Sequence, residues 1–106
     1  MENTSRIEYF EKMLENNPDN PTGLLALANE YNKAGRRADE AEALQRYVAR
    51  HEDEGNAYPR LGDALVHTGH SAEAKDSYEK GIGQAERYGH EGMAGELRGA
   101  LEALDN

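Results

Sequence analysis

The sequence contains no cysteine, which excludes disulfide scaffolds, thiolate zinc sites and cysteine nucleophiles together. No apolar run approaches the roughly 20 residues of a membrane span, and no secretory apolar segment follows Met1. The expectation is a cytoplasmic protein with no membrane partner. Positive charge is scarce: 12 Lys+Arg face 21 Asp+Glu, a net charge of -9. That balance argues against nucleic acid and anionic membranes as partners. Large apolar residues are scarce as well. Leu, Ile, Val and Phe number 15 of 106, about 14%, where less than roughly 20% with high net charge is a signature of disorder.

What opposes disorder is 15 Ala and 6 Tyr, residues that can bury, with Ala the strongest helix former. They fall in helical register. Residues 5–16 place Ile7, Phe10, Met13 and Leu14 on one face, with Ser5 and Glu8 at capping-box spacing and Pro18 as a stop. Asn20-Pro21 reads as an N-cap followed by proline in the first helical turn, and Leu24, Leu27, Ala28 and Tyr31 form the next stripe, ending at Gly35. Further stripes carry Ala41, Leu44, Tyr47 and Val48, then Tyr58, Leu61, Gly62 and Leu65, ending at Gly69. Ala74, Tyr78, Ile82 and Ala85 form the fifth stripe, stopping near Gly89; Met93, Leu97, Leu101 and Leu104 form the sixth. The spacing predicts an all-α chain of about six helices near 5–16, 21–34, 37–51, 56–68, 71–88 and 90–104, with no strand.

A shift of 34 residues lays the sequence on itself. Leu24 meets Tyr58, Leu27 meets Leu61, Ala28 meets Gly62 and Tyr31 meets Leu65; Gly35 meets Gly69, Ala38 meets Ala72, Leu44 meets Tyr78 and Val48 meets Ile82. This period and its order of large, small and aromatic residues resemble the tetratricopeptide repeat family over 21–54 and 55–88. The second copy follows the family pattern closely and the first more loosely. The resemblance implies one domain over 1–106: a superhelix of antiparallel helix pairs, with the 5–16 helix and a 90–104 helix as caps. The departures are Glu40, where the family has Ala, Gly81, which replaces another Ala, and Glu52 and Glu86, which stand at closing-proline positions. Glu86 should let its helix run on towards Tyr88.

Nothing in the pattern assembles an enzyme site, a cofactor site or a metal site. His67 and His70 are separated by the helix end at Gly69, so they share no rigid face. The acidic run His51–Glu54 reads as a solvated loop, and Gly81-Ile82-Gly83 lies inside a helix rather than after a strand, so it is no phosphate loop. Gly92, Gly95 and Gly99 read as exposed glycines in a segment too polar for a membrane seam. The acidity itself fits a basic partner, solubility or a salty cytoplasm; with Lys only 4 of 12 cations and Glu 15 of 21 acids, it tilts slightly towards the last.

What remains is a surface. In the family, the first helix of each pair lines a concave groove for a peptide or a partner helix. The corresponding positions are Thr22, Leu25, Ala26, Asn29, Asn32 and Lys33 in the first copy, and Asn56, Pro59, Arg60, Asp63, Val66 and His67 in the second. A family clamp for C-terminal carboxylates is incomplete, because Leu25 and Arg60 stand where it has Lys and Asn. The expected partner-binding residues are Asn29, Asn32, Lys33, Arg60, Asp63 and His67, polar groups on an acidic background. The resemblance therefore implies a non-catalytic protein-interaction module, monomeric, with a protein or peptide partner. The alternative is a self-assembly module using its ends: Ile7 and Phe10 at one, Leu97, Leu101 and Leu104 at the other.

Overall fold

A computed structural model describes the backbone over residues 2–105 and the side chains over 5–105. Six helices follow in order: α1 (Glu2–Asn16), α2 (Pro21–Lys33), α3 (Arg37–Arg50), α4 (Ala57–His67), α5 (Ser71–Arg87) and α6 (Glu91–Asp105). No strand occurs among the described residues, so the chain is all-α. The contacts divide it into two compact units, Met1–His51 and Glu52–Asn106. In the first, α2 packs against both α1 and α3; in the second, α5 packs against both α4 and α6.

Local chemistry sets most of the boundaries. The Asn20 side chain accepts from the Gly23 amide at 3.2 Å and Pro21 opens α2, satisfying one of the four unpaired amides of a helix start. At the other end Gly35 adopts φ 74°. The chain then folds back so that the Arg36 amide reaches the Tyr31 carbonyl at 2.8 Å and the Gly35 amide the Asn32 carbonyl at 3.1 Å. Two paired carbonyls close a helix C-terminus in this way, and the left-handed residue is most cheaply glycine. The same pair recurs after α4 around Gly69, φ 79°, and after α5 around Gly89, φ 75°. One start differs from expectation. α1 begins at Glu2, so Ser5 lies inside the helix and does not cap it.

In the first unit Ile7 and Leu14 from α1, Leu24, Leu27, Ala28 and Tyr31 from α2, and Ala41 and Leu44 from α3 are buried. Arg46 donates from α3 to the Pro18 carbonyl at 2.8 Å, tying α3 to the α1–α2 turn. In the second unit Leu61, Leu65, Ala74, Tyr78, Ala85, Ala94 and Leu97 are buried. Gly81 permits the close packing here, since a Cβ on it would lie 2.6 Å from the Tyr58 Cβ and 3.1 Å from Leu97 Cδ1. As expected, α5 runs on through Glu86 to Arg87.

In the acidic loop before α4, Glu52 and Glu54 are exposed as a charge run should be, and Asp53 is the exception. Asp53 is buried and its carboxylate accepts from the Gly55 and Ala57 amides, each at 2.9 Å, capping α4. Gln84 donates to the Asp53 carbonyl at 2.8 Å, Glu52 takes Arg87 and Tyr88, and Glu54 meets His90 at 2.8 Å. The loop is held along the end of α5 through the Asp53 carbonyl and the exposed Glu52 and Glu54 side chains, while the Asp53 carboxylate serves the start of α4.

Two buried tyrosines make the fold sensitive to alkali. Burial, reinforced by donation to Glu11 at 2.8 Å, pushes the Tyr31 phenol up to about 12. Burial and a hydrogen bond to Asp63 push Tyr78 further in the same direction. In the unfolded chain both phenols ionise near pH 10. Their contribution is fully present below that pH and is lost as pH rises through the folded values. Circular dichroism during a titration should show helix loss beginning above about pH 10, together with phenolate absorbance. Ionisation of Tyr31 and Tyr78 themselves at ordinary tyrosine pH with the helices intact, read by difference from Tyr31→Phe and Tyr78→Phe, would contradict it.

Candidate partner-binding surface

The expected binding residues fall into two sets, one in each unit. In the first unit α1 and α2 enclose a cleft of roughly 660 Å³ lined by Ser5, Arg6, Tyr9, Phe10, Ala26, Asn29, Glu30, Asn32 and Lys33. Tyr9 is largely exposed, and its ring meets Phe10 edge to face with centroids 5.1 Å apart. Of the residues expected on a groove formed by the first helices, Ala26, Asn29, Asn32 and Lys33 line this cleft with α1, and Thr22 and Leu25 are not among its lining. Asn32 is not simply presented to a ligand, however. Its side-chain nitrogen donates to Glu40 Oε1 at 3.2 Å and Oε2 at 3.1 Å. Glu40 is fully buried, and Arg37 Nε stands 3.2 Å from its Oε1. A buried carboxylate needs such partners, so Asn32 serves the interior of the unit.

Arg6, Tyr9 and Glu30 belong to the cleft and were not anticipated. Glu30 is only 5% exposed. Its Oε2 lies 3.6 Å from Arg6 Nη1 and 3.7 Å from Lys33 Nζ, ion-pair distances longer than a hydrogen bond. Its Oε1 is buried with no hydrogen-bond partner among the described residues. A signal for Glu30 was present in the sequence. It stands one turn after Leu27 and beside Tyr31, on the apolar stripe, and the 34-residue shift lays it on Ala64.

In the second unit Arg60 is half-buried on α4, while Asp63 and His67 are exposed along the same helix. Asp63 accepts a short hydrogen bond from the Tyr78 hydroxyl, so its carboxylate is engaged in holding α4 to α5. His67 Nδ1 lies 2.9 Å from the Asp63 carbonyl, one turn back. His70 Nδ1 instead meets the Thr68 hydroxyl at 3.0 Å, and the two imidazoles have separate partners. Among the described residues no group of three His, Cys, Asp or Glu could hold a metal ion, and no helix is long and apolar enough to cross a membrane.

Compared with known proteins, the chain matches no family model, and no curated protein is significantly similar to it.

Proposed function

We propose that this chain is a non-catalytic protein-interaction module of the tetratricopeptide type, which holds a peptide or helix of a partner protein. The observation that carries the reading is the α1–α2 cleft, where two cations around Glu30 sit beside the exposed Tyr9 and half-buried Phe10 in a chain of net charge -9. Aromatic and arginine side chains are the groups that dominate protein recognition. A positive strip on a negative surface selects acidic ligand groups and repels them elsewhere. The 34-residue spacing supplies the repeat reading. Self-assembly through the ends is less favoured, since Ile7 and Leu97 are buried in their own units.

The test is capture of partners by the intact chain, followed by titration of an identified partner against variants. Lys33→Ala and Arg60→Ala should each weaken binding by about 1–3 kcal/mol, the loss of a charge-assisted hydrogen bond, with helicity unchanged. Glu79→Ala, on an exposed face of α5, should bind as the parent does. Full binding by both cation variants, with loss in Glu79→Ala, would overturn the assignment of these faces.

A further inference from the structure

The α1–α2 cleft contains a buried acceptor that the fold does not use. At the equivalent position of the second unit Ala64 is fully buried, so helix packing at this point is served by a small apolar residue. Glu30 places a carboxylate there, which loses solvation on burial, and leaves Oε1 without a hydrogen bond. Glu30 lines the cleft, and its Oε2 meets Arg6 and Lys33 there only at ion-pair distances longer than a hydrogen bond, so its acceptor capacity on that side is open to a donor. Arg6 and Lys33 are mostly exposed, 63% and 58% by side chain, and their long ion pairs leave both heads able to turn to a ligand.

The charges decide the kind of ligand. Arg6, Lys33 and Glu30 together give the walls one excess positive charge. A ligand cation would become the third around a single carboxylate. A neutral N–H satisfies Glu30 without that repulsion, and an acid beside it occupies the cations. The exposed Tyr9–Phe10 edge offers apolar contact to the neighbouring residue.

Resting on the peptide-binding reading above, we propose that this cleft recognises an internal acidic residue next to a large apolar one in an extended peptide. The acidic residue's main-chain N–H donates to Glu30, its side-chain carboxylate accepts from Arg6 and Lys33, and the apolar neighbour packs on Tyr9 and Phe10. Ser5 lines the same cleft and offers a partner for the main chain that continues past the acid.

The probe is a set of octapeptides blocked at both ends, with Phe or Leu followed by Asp, Glu, Asn or Lys, titrated against the full chain. Asp and Glu peptides should bind about tenfold tighter than Asn or Lys peptides. N-methylation of the acidic residue should weaken binding by about tenfold in the parent and leave Glu30→Ala unaffected, a coupling that merely structural loss does not produce. Glu30→Ala should fold, because the second unit carries Ala at the same point. Arg6→Ala with Lys33→Ala should abolish the preference for the acid. A preference for Lys, or a requirement for a free C-terminal carboxylate, overturns the proposal. If blocked acidic peptides bind with no response to these variants, this cleft is the wrong site and the peptide-binding reading stands. If neither these peptides nor any captured partner binds, both fall.

Discussion

Gly62→Ala is expected to destabilise the chain by about 1–2 kcal/mol, although alanine is the better helix former. A Cβ built on Gly62 would lie 2.4 Å from Tyr78 Cε1, 2.7 Å from Cζ and 2.8 Å from Cδ1. Those are the atoms of a rigid ring, not the end of a flexible chain. Tyr78 is buried and its hydroxyl is fastened to Asp63, the residue directly after Gly62, so the ring cannot move aside without breaking that bond. Overpacking of this kind costs roughly 1–3 kcal/mol, occasionally more, and the gain from replacing a helical glycine offsets about 1 kcal/mol. Gly83 in α5 provides the control, since a Cβ there meets nothing within 4 Å. Gly83→Ala should stabilise by about 0.5–1 kcal/mol. Thermal unfolding of the two variants should move in opposite directions, and a Gly62→Ala chain as stable as Gly83→Ala would show that the helices separate freely.

Gly62 was legible before any coordinates: a small residue aligned with Ala28 between large ones already marked a close crossing. The helix ends were legible for the same reason. Asn20-Pro21, Gly35, Gly69 and Gly89 each act through one or two residues whose backbone preferences are intrinsic. What escaped depends on partners distant in sequence. Glu52 and Glu54 are exposed as their charge run implies, but their partners Arg87, Tyr88 and His90 lie 35 to 36 residues on and cannot be read from the run itself. Asn32 and Asp63 were placed on the binding surface by register, and register cannot show that Glu40 and Tyr78 occupy their polar groups. Asn29 and Lys33 were placed by the same register, and they do line the cleft. Glu30 was passed over because a charge within a helix reads as exposed unless its position on the apolar stripe outweighs its polarity.

Glu40 leads to the other large effect. Glu40→Ala should lower stability by about 2–4 kcal/mol, because removing one member of a buried charged group strands the rest. The lower end applies if Arg37, whose side chain is 26% exposed, can turn its guanidinium to water. Yet the 34-residue shift lays Asn32, Arg37 and Glu40 on Val66, Ser71 and Ala74, and Ala74 is fully buried in the second unit. The same helix pair is therefore built there without any of the three polar groups. Val66 and Ser71 are exposed there and only Ala74 packs, so removing the three polar groups together adds no packing but leaves no charge stranded. Asn32→Val, Arg37→Ser and Glu40→Ala combined should recover most of the loss seen with Glu40→Ala alone, as read from urea unfolding. Recovery would mean that the charges in the first unit are dispensable for its stability. A triple variant as unstable as the single one would instead show that α2 and α3 need the Glu40 network to pack, and that the two copies reach one helix-pair geometry by different means.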